Sequence, residues 1–387
     1  MRPAQPYLPA STLPQSRSLA SHLMERLDIR GHLRVLFAGD SIMAGINDTG
    51  GLRLPILLAL QALGVPARTV GEIDDGSGSH RIMFDLCAGN TQHQSIGGLT
   101  TAQLTAGGTY GGKTISPIAT AISILTPDIV FLALGSNDGG TEQERADGFL
   151  GLYSAIARAH ARTAIVHIPP FASNNTSNDF FTLDTNRETT ARAARAAMAA
   201  VTEDGTPGAV IDAHLHLAAS VRRPGAAFNS SIALANAVFI DSAHLQPEGA
   251  APMACAAVSL ALGVGCAVVR DALAQTPPFA PVEWKSAGNA TSAGAQTLVA
   301  SGPRKHSLVQ LRLRNKGASP VTVSIQTLKN PGAVATTLLS VVVPANATET
   351  LSYGRIAPVA WVNEGWRLDL AGSGFDLDFA AWGASEW

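Results

Sequence analysis

The chain has 387 residues, of which 46% are hydrophobic and only 14% charged, and its formal net charge is −2. That is enough for two domains with full cores, or one large domain with an appendage, and too apolar for wholesale disorder. Its basic residues are scattered singly, which excludes the electrostatic footprint of a dedicated nucleic-acid binder.

The first residues, Met1 to His22, carry an early Arg but no apolar core, so they do not read as a signal peptide. Ala250–Val264 is apolar but Ala- and Gly-rich and too short to span a bilayer. No membrane partner is expected, and the compartment stays open. Cys87, Cys255 and Cys266 lack CxxC spacing and are too few for a disulfide framework; they read as buried free thiols.

Up to residue 275, short apolar runs alternate with longer helical patterns. The spacing predicts strands at His32–Ala38, Ala67–Ile73, Asp128–Leu134, Ala164–Ile168 and Ala209–Asp212. Between them it predicts helices at Gly51–Leu63, Ile115–Leu125, Glu142–Arg162, Leu183–Thr202 and Pro247–Leu262. Three of the strands are near-continuous apolar runs, as parallel strands buried on both faces require. The alternation argues for a doubly wound α/β domain over 1–275, whose site lies beyond the carboxyl ends of the strands.

The composition changes near residue 276, beyond which lie all five Trp. The segment Gln275-Thr-Pro-Pro-Phe-Ala-Pro281 reads as a linker, because its prolines forbid regular pairing. In 282–387 the period becomes two: Val309, Leu311 and Leu313 alternate with Gln310, Arg312 and Arg314, and Val321, Val323 and Ile325 with polar residues. Six or seven such strands predict a β-sandwich of jelly-roll type. Its Trp residues fill a core or stack on sugars.

Three segments carry chemistry. The first βα turn holds Gly39-Asp40-Ser41, with the serine where the strand ends. The third strand runs into Gly135-Ser136-Asn137-Asp138, where the Asn amide is a donor at the same edge. Asp241-Ser242-Ala243-His244 precedes the last helix of the domain, and a carboxylate three residues before a His can orient the imidazole. Taken singly, each is compatible with an ordinary capped turn. Together they supply a nucleophile, an oriented base and polar donors at one edge, which is what acyl transfer needs.

On these residues the chain resembles the SGNH (GDSL-type) hydrolases, and the blocks occur in that family's order over roughly residues 32–265. The remaining block, with its oxyanion-hole glycine, is matched by Ser95-Ile-Gly-Gly-Leu-Thr-Thr101, where Gly98 fits better than Gly97. The resemblance implies a flavodoxin-like parallel sheet and no cofactor. It assigns Ser41 as nucleophile, His244 as general base, Asp241 as the group that orients it, and Ser41 N–H, Gly98 N–H and the Asn137 amide as oxyanion hole. Ser41 would then attack an ester through an acyl-enzyme, in the chain order Ser…Asp…His. No G-x-S-x-G occurs, which argues against the α/β-hydrolase elbow.

The stretch His93–Leu99, Gly50-Gly-Leu-Arg53 and the Pro-Asp-Ile-Val entry to the third strand resemble acetylxylan esterases of carbohydrate esterase family three. That likeness implies acetylated glycans, or small esters, as substrates, and makes His93 a candidate substrate contact. His80 and Arg81 lie in a Gly/Ser-rich loop that would rim the cleft. Asp40 and Asp138 read as braces of their turns. His214 and His216, after a strand end, offer a His-x-His pair with no third ligand for a metal. Other readings are a short-chain carboxylesterase or thioesterase, and a non-catalytic glycan-binding or virion surface protein that forms a homo-oligomer through 282–387.

Overall fold

A computed structural model describes residues 13–45, 50–74, 90–171, 185–221, 244–245, 247–276, 282–299, 305–329, 333–353, 359–360 and 364–386. The described residues form two compact units, one up to residue 276 and one from residue 282. No helix among them is long and apolar enough to cross a membrane.

The first unit contains strands β1 (Leu33–Gly39), β2 (Ala67–Val70), β3 (Ile73–Asp74), β4 (Gln92–Ser95), β5 (Gly108–Tyr110), β6 (Lys113–Ile115), β7 (Ile129–Ala133), β8 (Ala164–Ile168) and β9 (Gly208–Val210). Its helices are α1 (Leu13–Arg30), α2 (Ser41–Ala44), α3 (Arg53–Ala62), α4 (Thr101–Ala106), α5 (Ile118–Leu125), α6 (Glu142–Ala159), α7 (Thr185–Glu203), α8 (Ala213–Val221), α9 (Pro247–Leu262) and α10 (Cys266–Leu273). β1 pairs in parallel with β7, β7 with β8, and β8 with β9. On the other side of β1, β2 pairs with its first half and β4 with its end, both in parallel. β3 is antiparallel to β4.

This is the flavodoxin-like strand order, and chain direction across the sheet reverses between β1 and β7. That reversal opens a crevice at their carboxyl ends. Alternate residues of the central strands face opposite helix layers. Leu36, Val130, Leu132 and Ile165 pack with Phe149, Leu152 and Tyr153 of α6 and Ala194 and Ala197 of α7. On the opposite face Phe37 stacks on Phe131 at 5.7 Å. Continuous apolar runs are what let β1, β7 and β8 satisfy both layers.

At the other end of the sheet Asp128 has no exposure. Its Oδ1 accepts from Arg26 Nε at 2.8 Å and from Arg30 at 3.1 Å, and its Oδ2 from the Arg34 N–H at 2.8 Å. One carboxylate therefore pins α1 to the entry of β7 and to β1. Asp128→Ala strands the buried Arg26 guanidinium, and we expect a loss of about 3–5 kcal/mol, measured as a shift of the urea midpoint.

In the second unit β10 (Val282–Ala290), β18 (Leu377–Glu386), β12 (Lys305–Asn315) and β15 (Thr348–Ser352) form one sheet in that order, with β16 (Val359–Ala360) also on β12. β11 (Gly294–Val299), β17 (Glu364–Ala371), β13 (Val321–Lys329) and β14 (Ala333–Val343) form the other. The chain crosses between the two antiparallel sheets along most of this unit, and stays within one sheet from β13 to β14 and from β15 to β16, a β-sandwich of jelly-roll type. Val309 is not the inward residue its spacing predicts. A bulge between Leu308 and Gln310 shifts the register, so Leu308, Leu311 and Leu313 are the wholly buried ones.

Trp366 is buried with its indole N–H on the His306 carbonyl at 2.7 Å, and Trp284 joins the same core. Trp382 is partly exposed and donates to Gln310 at 2.9 Å. Trp361 and Trp387 lie outside the described residues. Cys255 is buried, which pushes its thiol up to about 12. Cys266, expected to be buried, is partly exposed; Cys87 lies outside the described residues.

Candidate active site

β1 ends where it touches β7 most closely. Gly39 has φ +142°, and a Cβ on it would lie 1.9 Å from the Ala133 carbonyl oxygen. The same oxygen accepts the Asp40 N–H at 2.9 Å. Asp40 then caps α2: its backbone is extended and its Oδ1 accepts the Ile42 N–H at 2.9 Å. Ser41 is thereby fixed as the first helical residue, where backbone N–H groups have no intrahelical partner.

The chain turns back at once. The Gly45 N–H donates to the Ser41 carbonyl at 2.8 Å, and the Leu52 N–H to the Ile42 carbonyl at 3.1 Å. Gly45 and Gly51 have positive φ and meet so closely that a Cβ on Gly45 would lie 2.2 Å from Gly51 N. Arg53 follows, fully buried, and its guanidinium donates to the Ala44 carbonyl at 2.7 Å and the Thr91 carbonyl at 3.4 Å. The Gly50–Arg53 run thus anchors the far end of the Ser41 helix.

Two more segments meet this turn. The Ile96 N–H donates to the Gly39 carbonyl at 3.0 Å and brings the Gly97–Gly98 turn alongside. A Cβ on Gly97 would sit 3.8 Å from the Ser41 Cβ, whereas one on Gly98, at φ +78°, would meet nothing within 4 Å. The Asn137 amide donates to the Leu99 carbonyl at 3.2 Å, and its second N–H remains to serve a ligand. Asp138 accepts the Thr101 N–H at 2.8 Å and the Thr101 hydroxyl through its other oxygen. It locks the Asn137 loop to α4, and so holds Asn137 and Gly98 at a fixed separation.

Behind this loop lies a polar pair that sequence reading missed. His167, wholly buried on β8, donates Nε2–H to the Leu134 carbonyl at 3.1 Å. Its Nδ1 therefore accepts from the buried Tyr153 hydroxyl. Burial holds the imidazole neutral, its pKa lowered to about 4. The signal in the sequence is a single histidine inside the apolar run Ala164-Ile-Val-His-Ile168.

His244, partly buried, lines one cleft with Ser41, Ile42, Gly45, Gly51, Leu52, Leu245 and Ala250. Ser41, Gly97–Gly98, Asn137 and His244 thus gather at the carboxyl edge of the sheet. Asp241 lies outside the described residues, as do His80 and Arg81. His93, the candidate substrate contact, lies on β4. It has no exposed surface, and its Nδ1 accepts the Ser95 N–H at 3.0 Å, so it braces the end of β4. His214 and His216 fall within α8 rather than after a strand end. Among the described residues no three His, Cys, Asp or Glu are placed to hold a metal.

No family model matches the chain, and no curated protein matches it. Solved structures do. A family 3 carbohydrate esterase from Clostridium thermocellum is 16% identical over 62% of this chain and 98% of its own, with a TM-score of 0.40. A family 3 carbohydrate esterase from Talaromyces cellulolyticus is 16% identical over 62% of this chain and 99% of its own, at 0.42. A variant of an acetyl xylan esterase from Geobacillus stearothermophilus is 17% identical over 59% of this chain and 94% of its own, at 0.37.

Proposed function

We propose that the chain is a serine esterase of the SGNH type, which removes short acyl groups, acetyl above all, from a polysaccharide. The observation that carries this reading is the meeting of Ser41, the Gly97–Gly98 turn, Asn137 and His244 at the one sheet edge where the fold opens a crevice. In this reading His244 takes the Ser41 proton as the hydroxyl attacks the ester carbonyl, with Asp241 orienting the imidazole. The Ser41 and Gly98 N–H groups and the Asn137 amide receive the oxyanion. His244 then protonates the leaving alcohol, and water releases the acyl group by the same path. The acetyl preference and the glycan rest on the sequence resemblance.

The test is hydrolysis of p-nitrophenyl acetate, butyrate and octanoate, followed by acetate release from acetylated xylan. Acetate is expected to be turned over fastest; an enzyme that prefers octanoate is a lipase-like esterase instead. Asn137→Ala removes one oxyanion donor and should lower kcat by about 10²–10³ with little change in KM. A KM effect alone would place Asn137 in substrate binding only.

A further inference from the structure

The proposed reaction uses neither Tyr153 nor His167, yet both side chains are wholly buried and hydrogen-bonded to each other. β8 pairs His167 with Leu132 of β7, and the imidazole reaches past the end of that ladder to the Leu134 carbonyl, 3.1 Å from Nε2. A carbonyl can only accept, so Nε2 carries the proton. Nδ1 is then the acceptor, and the Tyr153 hydroxyl fills it. One hydroxyl on α6 therefore sets which way a buried imidazole donates.

Leu134 is the first residue beyond β7 and stands three places before Asn137. The turn between them is closed by the Asp138 N–H on the Gly135 carbonyl at 3.4 Å. A Cβ on Gly135 would lie 2.7 Å from Thr190 Cγ2 and 3.1 Å from Phe149 Cζ, so the turn runs close against the helix layer that carries Tyr153. Phe149 also meets His167, with the rings 5.1 Å apart and tilted by 53°. Toward the cleft, the Asn137 amide holds the Leu99 carbonyl and Asp138 holds Thr101. Toward the core, His167 holds the Leu134 carbonyl. The segment that carries Asn137 is thus tied on both sides.

Packing alone does not require this pair. The rest of β8 is apolar, and an aliphatic side chain at position 167 would bury as readily. It would leave the Leu134 carbonyl without its side-chain donor.

We propose that Tyr153 and His167 are positioning residues of the oxyanion hole: together they hold the Leu134 carbonyl, and so set where the Asn137 amide stands relative to Ser41. This rests on the esterase reading, in which that amide receives the oxyanion. A donor used only in the transition state, once displaced, costs kcat and not KM. Without the Tyr153 hydroxyl, the imidazole is free to carry its proton on Nδ1, and Nε2 would then turn a lone pair toward the Leu134 carbonyl.

The test uses the full chain with Tyr153→Phe, His167→Gln and His167→Leu. Gln retains an N–H that reaches Leu134, and Leu retains none. With p-nitrophenyl acetate, His167→Leu should lower kcat by about 10–100-fold and Tyr153→Phe by about 3–10-fold, with KM within about twofold in both. His167→Gln should recover most of what His167→Leu loses. In an Asn137→Ala background Tyr153→Phe should cost nothing further, because its effect passes through that amide. Nitrogen NMR should show His167 protonated on Nε2 in the wild type and on both nitrogens in exchange in Tyr153→Phe, with a shift of the Asn137 side-chain amide resonances.

An equal loss from Tyr153→Phe with and without Asn137, a loss confined to KM, or a His167→Gln as impaired as His167→Leu overturns the proposal. So does an Asn137 amide whose resonances do not move in Tyr153→Phe. If His167→Leu fails to fold, the Tyr153→Phe comparison still decides. If the wild type hydrolyses no ester, the functional reading fails, and the resonances alone decide whether the pair positions Asn137.

Discussion

Ser41→Ala is expected to lower kcat for acetyl-ester hydrolysis by about 10⁶, or roughly 8 kcal/mol of transition-state stabilisation. The hydroxyl is the atom that forms the new bond in the proposed reaction, so no neighbour can replace it. His244→Ala should cost nearly as much, because an undeprotonated serine is inert at neutral pH. The double variant should be no worse than either single one, since nucleophile and base act as one device. Single-turnover hydrolysis of p-nitrophenyl acetate reads all three. The fold should survive, because the cap of the Ser41 helix is the Asp40 carboxyl and not the serine. A folded Ser41→Ala protein retaining activity within tenfold of wild type would sink the assignment. Sugar binding unaffected by the change, with no turnover in the wild type, would favour the glycan-binding alternative.

Gly39→Ala should be the most damaging small substitution in the first unit. The added methyl would have to occupy space 1.9 Å from the Ala133 oxygen and 2.8 Å from the Ala133 carbonyl carbon, both backbone atoms in the middle of the sheet. Neither can move without separating β1 from β7, the pair that presents Ser41 and Asn137. The φ of +142° adds backbone strain to the clash. We expect a loss above about 4 kcal/mol, or failure of the unit to fold, by calorimetry of the full chain. Gly98→Ala is the control. Its φ of +78° is also left-handed, but no atom lies within 4 Å of the new methyl, so about 1–2 kcal/mol of strain is expected. Equal costs at the two sites would show that φ rather than strand contact governs Gly39.

Much of this architecture can be read from residue order. β8 (Ala164–Ile168) and α9 (Pro247–Leu262) have the bounds their patterns predict, and β1 and β7 differ by a residue at each end. Apolar runs long enough for a strand, set between amphipathic stretches, admit few other arrangements. The period of two beyond residue 282 likewise announces a sandwich. The residues of the candidate site were visible because short-range chemistry marks them: a serine and an Asn at the ends of apolar strands, and an Asp-x-x-His before a helix.

Other features depend on partners distant in the chain. β4 reads Gln92-His-Gln-Ser95, with no apolar residue to signal a strand. It is buried from His93 to Ser95, where polar groups find mates. The Gln94 amide donates to Glu72 at 2.8 Å, and the Ser95 hydroxyl donates to the Phe37 carbonyl at 3.3 Å. The Val309 face was misread because a bulge is a relation between two strands, and no single strand records it. Burial likewise is set by what packs over a residue, and His93, in a run of polar side chains, has no exposed surface. Local pattern encodes which segments pair and where polar side chains surface, because those follow from periodicity. Register, burial and proton position follow from what the folded chain brings within reach, and residue order alone does not contain them.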